Sequence, residues 1–312
     1  MEWIQIQFMS KKFLYNLVRQ VPYRSIYGII TKDNRGDDMI KLIACDLDET
    51  LLNSEKEITP ANLAAIKKAE TEYGVIFVPA TGRGYTCLDT VLEALETKDK
   101  EGEYIISHNG GVICENKGYR KLNFHTLAFE KAKELFEFGL KKNICIQVFT
   151  DQDVYAFQLN EEEKRWLFMF KPDSIVCEQN SIDFLKDEPI VKILFQKTDM
   201  DYLHELAKEM EPITKNQVAV SYSSNRYLEL NAIGIDKGLG LRELASYLNI
   251  KKEETMAIGD NMNDLEMLQA AGVAVAVANA KPMIKEQSDF VTKADNNHDA
   301  IAEAIEQYVF LK

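Results

Sequence analysis

The 312 residues are 46% hydrophobic and 28% charged, a balance that builds globular cores and excludes a disordered or fibrous chain. Acidic side chains number 50 against 37 basic ones, a net charge of -13, which argues against a nucleic-acid partner because phosphate-backbone affinity rests on cations. The longest uncharged stretch, Met267 to Ala280, has 14 residues, short of the roughly 20 needed to cross a bilayer, so no transmembrane segment is expected.

Residues 1–38 differ in texture from the rest, with six basic, four acidic and six aromatic residues. They read as an N-terminal extension of unknown role, without the apolar core and small-residue cleavage site of a secretory signal. At Met39 the character changes. Ile40 to Cys45 is a short apolar run suited to a buried parallel strand. Thr59-Pro60 opens a helix with an N-cap oxygen and a proline at the first helical position, and Gly74 ends it. Val75 to Ala80 is the next strand, Leu88 to Leu95 carries helical spacing, and Tyr104 to Ser107 is a third strand. Between about 120 and 232 helical stretches (Phe129 to Leu140, Asp201 to Glu211) mix with closely spaced strands (Cys145 to Phe149, Val154 to Phe157, Val191 to Phe195, Tyr227 to Leu230). That pattern predicts an antiparallel sheet with helices on one face. From about 235 alternation returns: a helical stripe at Leu241 to Leu248, strands at Thr255 to Gly259 and Val273 to Val277, and a last helix over Asn297 to Tyr308. The expected fold is α/β: a doubly wound, mostly parallel Rossmann-like core (39–119 and 233–312) interrupted by an inserted α+β cap (120–232).

Five cysteines are scattered without a C-x-x-C pair, and the four histidines stand at no ligand spacing. A disulfide framework and a zinc site are therefore not expected, and a reducing, cytoplasmic location is.

Chemistry-bearing residues cluster after the apolar strands, where ligands bind in open α/β sheets. Asp46-Leu47-Asp48-Glu49-Thr50 follows the first. Its two carboxylates, two residues apart at a strand end, point to one side and suit a hard cation, with one able to attack phosphorus and the other to move a proton; a solvated acidic turn has the same composition. Thr81-Gly82-Arg83 follows the second strand and can cradle an anion at a helix start, though such pairs are also ordinary turns. Lys237, in Gly234-Ile235-Asp236-Lys237-Gly238, can bring a mobile positive charge to a phosphoryl group. Gly259-Asp260-Asn261-Met262-Asn263-Asp264 follows a late strand. It lacks the glycine and spacing of a calcium loop, so it reads as an oxygen-ligand site or a helix cap.

The order D-x-D-x-T, T-G-R, cap-sized insert, K-G, G-D-N-x-N-D resembles the haloacid dehalogenase-like hydrolases, and more narrowly the Cof-type sugar-phosphate phosphatases. The resemblance runs from about Met39 to Lys312 and takes in Ile105 to Gly111. It implies a phosphatase that acts on small phosphorylated metabolites through an aspartyl-phosphate. Asp46 would be the nucleophile and Asp48 the general acid and base. Magnesium would be held by Asp46, Asp48 (through its carbonyl) and Asp260, with Asn261 close by. Leu47 (through its amide), Thr81, Gly82, Lys237 and Asn263 would hold the phosphoryl group, Asn109 would face the substrate, and His108 would be structural. Glu49 departs from the family, standing where most members carry glycine. Two other readings of the same residues are a phosphomutase, gripping a second phosphate with cap lysines such as Lys171, Lys192 and Lys215, and a phosphosugar-binding regulator without catalysis.

Overall fold

The computed structural model describes residues 39–311, so the reading of 1–38 as an extension lies outside the described residues. The run after Met39 becomes β1 (Leu42–Cys45), buried along its whole length. Next comes α1 (Pro60–Tyr73), started as its sequence dictates: the Thr59 side chain accepts from the Asn62 amide, Pro60 takes the first turn, and Gly74 closes the helix at φ 68°, a conformation that costs glycine little. β2 (Ile76–Pro79) follows, then β3 (Tyr104–Ser107), β4 (Val112–Glu115) and β5 (Arg120–Phe124). These last three form an antiparallel sheet, bound to the end of β2 by the bridge from Ala80 to Ile106. Residues 120–124, read from sequence as the start of the insert, thus extend this sheet through the pairing of β5 with β4.

The insert carries α2 (Phe129–Lys141), β6 (Cys145–Thr150), β7 (Val154–Phe157), α3 (Glu161–Phe170), β8 (Ile175–Cys177), β9 (Ile190–Gln196), α4 (Met200–Glu209), β10 (Val218–Ser223) and β11 (Tyr227–Ala232). Its sheet runs β10-β11-β9-β6-β7-β8 and is antiparallel except where β8 lies beside β7. Side chains alternate cleanly across it, as the two-residue strand period requires. Ile146, Val148, Ile193, Phe195, Leu228 and Leu230 pack against Leu135 and Phe136 of α2 and Leu203 of α4. The intervening Gln147, Lys192, Gln196, Glu229 and Asn231 form a face that is polar yet buried.

The chain then returns through α5 (Lys237–Tyr247), β12 (Thr255–Gly259), α6 (Leu265–Ala270), β13 (Val273–Ala276), β14 (Phe290–Val291) and α7 (Ala300–Ile305). The core sheet runs β14-β13-β12-β1-β2, all parallel. β1 and β12, buried and adjacent at its centre, end beside each other. Their carboxyl ends open onto the site.

Candidate active site

Asp46 leaves β1 with its amide bonded to the Ile258 carbonyl of β12 at 2.9 Å, which fixes the turn that follows. Its carboxylate meets Lys237 Nζ at 2.5 Å, and the same ammonium reaches Asp264 Oδ1 at 2.6 Å. Lys237 is wholly buried at the start of α5, a helix capped by the Asp236 side chain accepting from the Leu239 amide. Asp264 sits at the end of a tight turn over Met262–Asp264, and its second oxygen accepts from the amides of Asp260 and Asn261, each at 3.0 Å. Asp260 is held by the Thr50 hydroxyl at 3.1 Å. Oxygens of Asp46, Asp260 and Asp264 lie within 4.8 Å of one another. Three segments far apart in sequence thus converge on one buried cluster.

Charge in that cluster does not balance: three carboxylates surround one ammonium. Burial and the Asp264 carboxylate push Asp46 up to about 7 in spite of Lys237. Burial, Asp46 and Asp264 push Asp260 up to about 9. The two neighbouring carboxylates hold Lys237 above its usual range against the cost of burying it. An all-oxygen donor set, crowded and short of positive charge, fits a hard divalent cation. Asp46, Asp260 and Asp264 are the carboxylates whose oxygens converge there.

The other residues picked out in the sequence lie around this centre. Leu47 is buried, and its carbonyl accepts from Thr50 and Leu52. Asp48 turns away from the carboxylate cluster: Arg83 grips it with Nε at 3.0 Å and Nη2 at 2.5 Å, and Lys56 reaches it at 3.0 Å. Partial enclosure pushes the other way, but Arg83 and then Lys56 hold the Asp48 carboxyl below the usual carboxylate range. Thr81 is buried at the end of β2, its amide bonded to the Ile106 carbonyl and its hydroxyl accepting from the Arg83 amide at 3.1 Å. Asn261 is occupied in capping, its side chain accepting from the Met262 amide at 2.8 Å. Asn263 stands half-buried on the same turn.

Above the site lies the polar face of the cap sheet. Lys192 and Glu229, buried there as a pair at 2.8 Å, touch Gly82 and Asn109 of the core. Tyr85 donates to Asp151 Oδ1 of the cap at 2.8 Å, and Lys171 of the cap donates to the Thr86 hydroxyl at 3.1 Å. The three cap lysines named as possible grips for a second phosphate do not converge. Lys171 lies on Thr86, Lys192 is spent on Glu229, and Lys215 pairs with Glu211 on the surface.

Over residues 43–305 the sequence matches the haloacid dehalogenase-like hydrolases. The chain belongs to this family. It is 32% identical over 278 residues to the 5-amino-6-(5-phospho-D-ribitylamino)uracil phosphatase YcsE of Bacillus subtilis, covering 88% of this chain and 98% of that protein. It is 30% identical over 285 residues to the phosphatase YwpJ of the same organism, covering 83% and 96%. Among solved structures, a haloacid dehalogenase-like hydrolase from Bacteroides thetaiotaomicron superposes with a TM-score of 0.73 at 31% identity, over 86% of this chain and 99% of that one. A subclass IIB sugar phosphatase, at 24% identity and a TM-score of 0.74, shares the fold. This hydrolase is accordingly of the Cof type, a phosphoric monoester hydrolase with an α+β cap inserted in a mostly parallel core.

Within this haloacid dehalogenase-like hydrolase two residues of the site carry no role of their own in the sequence reading. Asp264 is the last letter of G-D-N-x-N-D, and a second Asp in the same short turn after a buried strand is the available signal. Glu229 carries no motif; it is one polar position in an alternating strand. The departure at Glu49 has a visible consequence: its φ is 62°, left-handed backbone that glycine adopts freely and glutamate does not.

Proposed function

We propose that this enzyme hydrolyses small phosphorylated metabolites, sugar and polyol phosphates foremost, through an aspartyl-phosphate on Asp46, with magnesium as cofactor. The observation that carries this reading is the buried Asp46 carboxylate held at 2.5 Å from Lys237 at the end of the central strand. A nucleophilic carboxylate must be desolvated, fixed and drawn toward its ionised form: burial supplies the first, and the Lys237 ammonium fixes the group and opposes the upward push of burial and Asp264. Magnesium, when bound by Asp46 and Asp260, supplies charge neutralisation for the transferring phosphoryl group. In this reading the Leu47 amide, the Thr81 hydroxyl, Gly82, Lys237 and Asn263 would hold that group, as the family resemblance implies. The names of the Bacillus relatives support the substrate class, since YcsE is named for an ester whose phosphate sits on a ribityl chain.

Asp48, two residues beyond Asp46, is the proton carrier in this reading. It gives a proton to the departing alkoxide and takes one from the water that opens the acyl-phosphate. Its grip by Arg83 and Lys56 keeps it as the carboxylate, the form a base needs. To act as an acid it must first leave those partners and take up a proton from solvent, which it then gives to the alkoxide. The proton it later takes from the attacking water restores that protonated form, and substrate and cap closure would drive the motion.

The test is kinetic. Asp46→Asn removes the attacking oxygen, so no phosphoenzyme and no turnover are expected with any ester. Asp48→Asn loses proton transfer, worth about 10²–10⁴-fold in rate, on sugar phosphates; the loss shrinks with p-nitrophenyl phosphate, whose phenolate leaves unaided. Both activities should vanish in excess chelator and return with magnesium. Substantial turnover by Asp46→Asn, or equal damage to both substrates by Asp48→Asn, would overturn the assigned roles.

A further inference from the structure

The buried pair on the cap, Lys192 of β9 and Glu229 of β11, has no part in the chemistry just described. Each residue is 2% exposed, and ion pairs so deeply buried are weak sources of stability, since desolvation cancels most of the attraction. Both stand on the cap sheet, so they remain partners wherever the cap lies. What crosses to the core is one bond in each direction. Lys192 Nζ donates to the Gly82 carbonyl at 2.9 Å, and Asn109 Nδ2 donates to Glu229 Oε2 at 3.1 Å. On the core side, the Asn109 amide donates to the Thr81 carbonyl at 2.9 Å and the His108 amide to the Arg83 carbonyl at 3.0 Å. Thr81, Gly82, Lys192, Glu229 and Asn109 therefore close a ring of bonds that passes twice through the core–cap seam.

The ring ends on one peptide plane. The Gly82 carbonyl that accepts from Lys192 and the Arg83 amide that donates to Thr81 Oγ1 at 3.1 Å belong to the same peptide unit. A cation on its oxygen fixes the plane and polarises its N–H. A Thr81 hydroxyl that accepts from this N–H keeps its single hydrogen for an anion. Asn109 is pressed against the same unit, since a Cβ on Gly82 would meet Asn109 Oδ1 at 3.1 Å. The turn that presents Asn109 is strained, with φ of 51°, 54° and 91° at His108, Asn109 and Gly110. Runs of left-handed backbone of this kind persist where the surroundings enforce them.

We propose that Lys192 and Glu229 are positioning residues: from across the seam they set the Gly82–Arg83 peptide, and through it Thr81, so that the core's phosphoryl cradle is complete only with the cap down. The inference rests on the reading of Thr81 and Gly82 as that cradle. It couples anion binding to closure without either cap residue touching the anion.

The test uses the full chain with saturating magnesium and inorganic phosphate as the probe. In Lys192→Met and in Glu229→Gln, competitive inhibition by phosphate should weaken about 10–100-fold, the scale of one lost charge-assisted hydrogen bond. KM for p-nitrophenyl phosphate should rise with it, and amide exchange should quicken at residues 81–84 while β1 and β12 stay protected. Lys192→Arg should restore part of the phosphate affinity. The double variant Lys192→Met/Glu229→Leu leaves no unpaired buried charge, which keeps the experiment open if a single variant fails to fold, and it should show the same loss. Unchanged phosphate inhibition in folded variants, with defects confined to bulky sugar phosphates, would mean that the pair reads the leaving group, and would overturn the proposal alone. A wild-type protein that binds no phosphate and cleaves no ester would instead bring down the phosphatase reading beneath it.

Discussion

Asp46, Asp260 and Asp264 are three anions gathered round a single buried ammonium, and that imbalance has a measurable consequence in the metal-free protein. Asp46 is pushed up to about 7 and Asp260 up to about 9, whereas in the unfolded chain both titrate near about 4. Between those values the folded state holds protons that the unfolded state has released, so stability falls as pH rises through that interval. In excess chelator the thermal midpoint is expected to drop between about pH 5.5 and 8.5, and magnesium to recover it at the upper pH, because the cation replaces the missing protons. A metal-free midpoint that climbs or stays level over this range contradicts the charge deficit. Asp46, Asp48 and Lys237 could be picked out by motif order, since each follows a strand or opens a helix. Glu229 could not: nothing local distinguishes it from a solvent-facing strand residue, and only the cap's placement over the core makes it buried. The direction of the Asp48 side chain was likewise out of reach, because its partners Arg83 and Lys56 come from other turns.

At the scale of elements, what the sequence told depended on how strongly a segment was patterned. The strands at Tyr104–Ser107, Val154–Phe157 and Thr255–Gly259 fall where the apolar runs predict them. Their ends are marked by turns or by a sharp drop in hydrophobicity. The apolar pattern does not pick out α3, because three glutamates open a helix whose buried Glu163 is bonded to Gln147, Tyr227 and Arg226. Nor does it pick out β10: Val218–Ser223 is half polar and is held in place by β11. The last helix starts three residues later than its periodicity suggests and runs on past Ile305 as wider π turns over Glu306–Phe310. The contact between α5 and α6 positions Lys237, and it is closed by Gly238, where a Cβ would sit 2.3 Å from the Glu266 carbonyl oxygen. Gly238→Ala must therefore push α5 off α6. Overpacking of this kind costs about 1–3 kcal/mol, visible as a lower urea midpoint. Because Lys237 immediately precedes Gly238, kcat/KM should fall further than the folded fraction does. Normal activity in a stably folded Gly238→Ala protein would show that α5 has slack at its start and that the Lys237 contact tolerates it.

Across the whole molecule the apolar residues form two principal bodies. One surrounds the parallel sheet and takes in Val191 from the cap; the other fills the space between the cap sheet and α2 and α4. Polar contacts bulk large where the two meet: Lys192 on Gly82, Asn109 on Glu229, Tyr85 on Asp151, and Lys171 on Thr86. Bodies with separate hydrophobic cores and a polar boundary are expected to unfold as separate cooperative units. Asp46, Asp260 and Asp264, the carboxylates proposed to gather the cation, all belong to the half of the chain around the parallel sheet. Magnesium alone, without a phosphorylated ligand to draw the cap down, should then stabilise that body and leave the cap's transition nearly where it was. At about one hundred times its dissociation constant a ligand adds about 2.7 kcal/mol, which for a unit of 150–250 residues raises the midpoint by about 5–10 °C. Calorimetry with and without magnesium should resolve two transitions, one moving by that amount and one standing still. Adding phosphate as well should draw the second upward, since closure ties the cap to the occupied core. A single peak that shifts as a whole on magnesium alone would mean that the seam is strong enough to make core and cap one folding unit, and cap opening would then have to be a small tilt rather than a release.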